Sequence, residues 1–271
     1  MAWYNSYRPA TFGSVIGQTL VKQVLTNSIM RNKIKHSYLF SGPKGTGKTT
    51  LARIFASSLN EIIPTDLNAQ LGDLVDNSDP NKEPKQDLSG QKLNPEATID
   101  IIEMDAASNT GIDDIRQLID NAQSPPLIGK YKIYIIDEVH MLSKSAMNAL
   151  LKILEEPPVY LIFLLCTTNP EKLLPTVLSR LTHLKLTSHT LDDLVQNLSK
   201  IAKCENMSID NQSLKIIAKR ANGGQRDAIN LLETLASFEL SHYEEIQTAA
   251  LLGLVPEQIF EQVANHLLLS F

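Results

Sequence analysis

Residues 42–49 read Gly-Pro-Lys-Gly-Thr-Gly-Lys-Thr. This spacing suits the capture of densely charged phosphate groups. Glycines at 42, 45 and 47 let the backbone curl so that its N–H groups converge without a Cβ in the way. A helix beginning at the end of such a loop aims its free amides and its dipole at the same charge. The loop therefore supplies a run of candidate phosphate ligands: Gly42, Pro43, Lys44, Gly45, Thr46, Gly47, Lys48, Thr49 and Thr50. Lys48 adds a point cation for the β- and γ-phosphates, and the Thr49 hydroxyl is a hard oxygen donor suited to Mg²⁺.

A second set of polar residues closes short apolar runs further along. Lys-Ile-Tyr-Ile-Ile at 132–136 ends in Asp137-Glu138. A carboxylate at Asp137 suits Mg²⁺, held partly through water, while Glu138 is a candidate general base that polarises an attacking water. Taken alone, an apolar strand ending in Asp-Glu is common and is equally well a solvated strand end. About 90 residues after a phosphate loop in one α/β domain, it reads as the other half of a nucleotide site. His140 completes Asp-Glu-Val-His, a helicase-like string, but helicases of that class need two such cores and this chain has room for one. It is expected to start a helix or pack. Cys-Thr-Thr-Asn-Pro at 166–170 ends the next apolar run and offers Thr168 as a γ-phosphate sensor. Ser179-Arg180 follows at the rim, and Gly223-Gly224-Gln225-Arg226-Asp227 opens a later helix, from which Arg226 could reach phosphates.

Those residues need a scaffold, and the apolar periodicity supplies one. His36–Ser41, Ile99–Met104, Lys132–Ile136, Val159–Thr167 and His183–Leu186 read as buried strands. Helical spacing covers roughly 18–32, then Leu51, Ile54, Phe55 and Leu59, then Ile112, Ile115, Leu118 and Ile119, then Ser145–Glu156 before Pro157-Pro158. Strands alternating with helices imply a parallel α/β sheet covered on both faces. After about 189 the strands stop, and Leu191–Cys204, Ile209–Ala221 and Arg226–Phe238 predict three amphipathic helices. The expected domains are a nucleotide-binding core at 1–188, a three-helix lid at 189–242, and the start of a further helical domain at 243–271.

Composition narrows the class. With 271 residues, 43% hydrophobic and 20% charged, the chain is long enough for about two domains with real cores. Its longest apolar run, Val159–Cys166, is far shorter than the ~18 residues of a membrane span. The N-terminal residues contain no apolar stretch of the secretory type. Two cysteines, Cys166 and Cys204, form neither a disulfide framework nor a metal set. A cytoplasmic location is expected. The formal net charge is −5, and residues 60–98 alone account for it with eight acids and three lysines. The remainder is balanced, so DNA binding would need a local basic face and not bulk attraction. Four prolines and little periodicity mark 60–98 as an insertion or mobile loop.

Together these residues resemble the AAA+ ATPases and, within them, the γ/τ subunits of the bacterial DNA polymerase III clamp loader. The resemblance rests on Tyr7-Arg8-Pro9 with Val15-Ile16-Gly17-Gln18, on 36–42, on Asp105-Ala106-Ala107-Ser108-Asn109, and on 136–143. It also rests on Leu151-Lys152 with 154–158, Ser179-Arg180 and Gly224-Gln225-Arg226-Asp227. It implies that Arg8, Val15 and Gly17 lie near the adenine, and that Thr168 and Arg226 act as first and second sensors. Arg180 would be the arginine finger completing a neighbouring subunit's site. The implied cofactors are ATP and Mg²⁺. The implied partners are δ, δ′, further γ/τ copies, the ring-shaped sliding clamp and primer–template DNA, without a membrane. Residues 109–116 resemble the start of a helix facing the ring's interior.

Two departures from the family pattern stand out. The usual four-cysteine zinc module between the loop helix and the next strand is replaced by a cysteine-free segment at 60–98, so zinc is not expected. Leu181 replaces the usual cysteine after Ser-Arg. Two other readings stay open: a non-hydrolysing structural subunit like δ′, which requires a degenerate loop, and another AAA+ DNA motor such as a branch-migration helicase.

Overall fold

The computed structural model describes residues 2–60, 99–108, 110–238, 240 and 242–253. The expected insertion, Asn109 and the expected start of a further domain beyond 253 lie outside the described residues. The described chain divides into two compact units, residues 9–187 and residues 1–8 with 188 onward.

In the first unit, five parallel strands form one sheet: β1 (Ser37–Ser41), β2 (Ile101–Asp105), β3 (Lys132–Asp137), β4 (Leu161–Thr167) and β5 (Thr182–Lys185), in the order β2-β3-β4-β1-β5. Alternation along each strand sends successive side chains to opposite faces. Tyr38, Phe40, Ile133, Ile135, Ile162, Leu164 and Cys166 enter one core, which also takes Leu25 and Leu51. Leu39, Tyr134, Ile136, Phe163 and Leu165 enter the other, with Ile115 and Leu150. Both faces are covered, which explains why β4 is buried at every position and apolar up to its last residue.

In each unit some helices begin at a side-chain cap. In the first, α5 (Lys144–Glu155) has the Ser143 hydroxyl accepting from Ala146 N–H at 3.2 Å, and it stops before Pro157-Pro158. The α4 helix (Ile112–Ala122) buries Ile115, Leu118 and Ala122 on one stripe. The loop between α4 and β3 is held by Asp100, whose carboxylate accepts backbone N–H groups of Leu127, Ile128 and Gly129 at 2.7–2.8 Å. Those bonds outweigh the opposing effect of burial and hold its pKa below the ordinary value.

The second unit is helical: α7 (Leu191–Cys204), α8 (Asn211–Arg220), α9 (Gln225–Ala236) and α10 (Glu245–Leu251). A capping box at Thr190 and Asp193 starts α7, and the Asp210 carboxylate caps α8. Its core gathers Leu198, Ile217, Leu232, Leu235 and Tyr243. The short α1 helix (Trp3–Ser6) belongs here and not to the α/β unit. Trp3, Tyr4 and Tyr7 pack on this helical core, and Trp3 N–H donates to Glu233 at 3.1 Å. The expected core boundary at residue 1 therefore moves to residue 9 by contact. Three aromatics within five residues need an apolar partner, and the helical unit provides it.

Candidate nucleotide site

The loop after β1 and the ends of β3 and β4 converge at the carboxyl edge of the sheet, where ligands of open α/β folds bind. Gly42 opens the loop with φ +152°; a Cβ there would lie 2.5 Å from the Leu186 carbonyl oxygen, so the close approach requires glycine. Gly47 has φ +93°, and among the described residues nothing lies within 4 Å of where its Cβ would stand. The Thr46 hydroxyl donates to the Pro43 carbonyl at 2.8 Å and tightens the curl.

Lys48 begins α3 (Lys48–Asn60) and is buried. Its ammonium donates to the carbonyls of Gly42 and Pro43, both at 2.9 Å, so the loop's own backbone satisfies the cation. Burial pushes its pKa down, while the carboxylates of Glu138 and Asp137 work in the other direction. One residue on, the Thr49 hydroxyl donates to Asp137 Oδ2 at 2.7 Å. A hydroxyl and a carboxylate oxygen in contact at the mouth of a phosphate loop are a hard-oxygen donor set that fits Mg²⁺.

Glu138 follows Asp137 in a left-handed conformation, φ 46° and ψ 42°. For a residue with a side chain that costs about 1–3 kcal/mol, and such strain concentrates at functional sites. The turn is fixed by Glu138 N–H donating to Asp137 Oδ1 at 2.9 Å. It aims the carboxylate at the end of β4, where Thr168 N–H and hydroxyl approach Glu138 Oε2 at 3.4 and 3.3 Å. Thr168 also donates to Asn169 Oδ1 at 2.9 Å. The candidate sensor and the candidate base are thus neighbours. His140, expected only to pack or start a helix, joins them: its Nδ1 lies 2.9 Å from Thr167 Oγ1 and 3.3 Å from Glu138 Oε2. Sequence reading missed this link because Thr167 lies 27 residues away and only the sheet brings it near.

Other candidates are accounted for as follows. Val15 is buried, and its carbonyl accepts from the Lys22 ammonium at 2.8 Å. Gly17 has φ 58°. Next to it, the Gln18 amide pairs both ways with Thr187, at 2.7 and 3.2 Å. Arg180 lies on the surface just past α6 (Pro175–Leu178), ion-paired to Glu155 and 3.3 Å from Ser179 Oγ. Arg8 and Arg226 belong to the helical unit. There Arg8 donates to Asn5 at 3.3 Å, and the Arg226 guanidinium stacks 4.3 Å from the centroid of the Tyr4 ring. At the start of α4, Arg116 pairs with Asp113 at 3.1 Å.

The profile of the family described as "DNA polymerase III, delta subunit" matches residues 17–190. The tau subunit of DNA polymerase III from Bacillus subtilis is 43% identical over 88% of this chain. The gamma subunit from Buchnera aphidicola subsp. Baizongia pistaciae is 38% identical over 97% of this chain and 68% of its own length. The chain belongs to the DNA polymerase III gamma/tau family. Residues 196–237 of this gamma/tau-family chain match a profile described as "RCF1/5-like, AAA+ ATPase lid domain". The chain spans 40% of the Bacillus relative's length. Among solved structures, the RuvB Holliday junction branch migration motor of Thermotoga maritima aligns with a TM-score of 0.64 and 22% identity over 91% of this chain and 72% of its own. That likeness carries the fold, a parallel α/β core with a helical domain, and the AAA+ assignment comes from the lid profile. No helix among the described residues is long and apolar enough to cross a membrane.

Proposed function

We propose that this chain is an ATP-binding and ATP-hydrolysing subunit of the DNA polymerase III clamp loader. It would act in the cytoplasm with δ, δ′ and further γ/τ copies to open the sliding clamp and load it on primed DNA. The observation that carries the reading is the meeting of Thr49, Asp137 and Glu138 beside an intact phosphate loop. In this reading the loop amides and the Lys48 ammonium, released from the carbonyls of Gly42 and Pro43, bind the triphosphate. Thr49 and Asp137 would hold Mg²⁺, which when bound neutralises charge between the β- and γ-phosphates. Glu138 orients the attacking water and accepts its proton, and Thr168 reports the γ-phosphate. Arg180 would serve a neighbouring subunit, with Arg226 and Arg8 contributing from the helical unit. Zinc has no part, because the 60–98 segment contains no thiolate.

The delta-subunit wording of the matching profile favours one other reading, a structural subunit that does not hydrolyse ATP. Two variants separate the readings. Lys48→Ala is expected to abolish nucleotide binding, whereas Glu138→Gln retains ATP and loses hydrolysis by about 10²–10⁴. Titration with a fluorescent ATP analogue and single-turnover hydrolysis, in the presence of clamp and primed DNA, read the two effects. Wild-type protein that binds but never hydrolyses would establish the structural role instead.

A further inference from the structure

We propose that His140 is a positioning residue for Glu138: through Nδ1 it ties the carboxylate to the end of β4. This deepens the ATPase reading and rests on it. The His140 side chain is 8% exposed, against 34% for Glu138, so its ring is enclosed while the carboxylate it touches remains open to a water. One ring nitrogen, Nδ1, lies between two oxygens, Thr167 Oγ1 at 2.9 Å and Glu138 Oε2 at 3.3 Å.

The carboxylate partner favours one tautomer of the ring. A carboxylate only accepts. Thr167 Oγ1 already accepts from Asn169 N–H at 3.0 Å and keeps a second lone pair. An Nδ1–H faces the carboxylate as a donor, whereas a bare Nδ1 would set its lone pair against it. With the proton on Nδ1, His140 donates to the carboxylate.

The need for such a donor follows from the backbone. Glu138 stands in a left-handed turn at the end of β3, and its side chain is partly exposed. Thr168 holds Oε2 only at 3.3–3.4 Å. Thr168 is also the residue expected to turn towards the γ-phosphate, which would take its hydroxyl away from Glu138. His140 then remains as the fixed contact, buried and anchored through Thr167, which is itself fully buried. Binding of the triphosphate does not require His140; the orientation of the base does.

The test compares substitutions that move only the donor. In His140→Asn the side-chain amide N–H falls where Nδ1 was; in His140→Gln it falls one atom further out, where Nε2 was. His140→Ala removes it. All are assayed with partner subunits, clamp and primed DNA, alongside Glu138→Gln. Expected is a fall in single-turnover rate of about ten- to a hundredfold for the Gln and Ala variants, as for loss of a hydrogen bond to a charged group, with ATP-analogue affinity and melting temperature close to wild type. His140→Asn should recover most of the rate. In the Glu138→Gln background, His140→Ala should cost nothing further, because the carboxylate it positions is gone. If Glu138→Gln is inactive but His140→Gln matches wild type, the inference fails and the ATPase reading stands. Equal losses in Asn and Gln variants, or loss of affinity in step with rate, would make His140 structural. Wild-type hydrolysis by Glu138→Gln would remove Glu138 as the base and this inference with it, whereas a wild-type protein that never hydrolyses would remove the ATPase reading itself. Should His140→Ala not fold, the Asn and Gln pair decides alone.

Discussion

In the α/β unit, Lys48, Thr49, Asp137, Glu138 and Thr168 come from three separate strand ends, and all converge on one open edge. In the helical unit, Arg8 and Arg226 are each engaged by close neighbours, Asn5 and Tyr4, on the unit's own short N-terminal segment. The difference is one of construction. A parallel sheet fixes strand ends against one another through its hydrogen-bond ladder, so residues far apart in sequence arrive in register. Side chains at the start of a surface helix are positioned only by what lies against them locally. The core thus holds a built site, while the cations of the helical unit sit in contacts that a ligand would have to displace.

The largest expected effect tests whether a cation at the rim of the α/β unit completes a neighbouring subunit's site. An Arg180→Ala chain with an intact loop, mixed in an assembled complex with a Lys48→Ala chain carrying Arg180, should regain hydrolysis; the finger is worth about 10³–10⁵ in rate. A mixture as inactive as either variant alone, with assembly demonstrated, would reduce Arg180 to its ion pair with Glu155. Next comes the independence of the helical core. Leu232→Ala empties a fully buried position there and should lower stability by about 2–5 kcal/mol. ATP-analogue affinity should stay within a few-fold, and a matching collapse of affinity would mean the two regions are not separable.

A smaller effect locates ligand stabilisation in the α/β unit. Mg·ATP at a hundred times its dissociation constant should add about 2.7 kcal/mol, seen as a rise in melting temperature that Lys48→Ala abolishes. The smallest concerns the helical unit alone. Tyr7 has its pKa raised from 10.0 to about 12, by burial first and then by its hydrogen bond to Glu205. A raised value means that folding favours the protonated phenol. The contribution is complete below pH 10 and lost as pH climbs towards 12, and Tyr7→Phe should remove that part of the alkaline sensitivity in a urea titration.

Much of the molecule was legible from the chain. Strand and helix positions followed from apolar spacing because each strand of a two-sided sheet must be apolar nearly throughout, as Leu161–Cys166 is. The phosphate loop was legible because its chemistry is local: glycines, lysine and threonine act on one ligand within eight residues. The ownership of residues 1–8 was not, since an aromatic cluster signals burial but not against which core. His140 packs at a short helix as expected, but its contacts with Thr167 and Glu138 were not legible, since Thr167 lies on another strand.

By itself, then, the sequence determined the residue types of the site, the α/β and helical classes of the two units, and the absence of thiolates from 60–98. Only the tertiary structure decided that Thr49 meets Asp137, that Glu138 turns left-handed towards Thr168, and that His140 reaches across to Thr167. Pattern and propensity act over a few residues along the chain, whereas these contacts depend on sheet order, which places the ends of β3, β4 and β1 side by side.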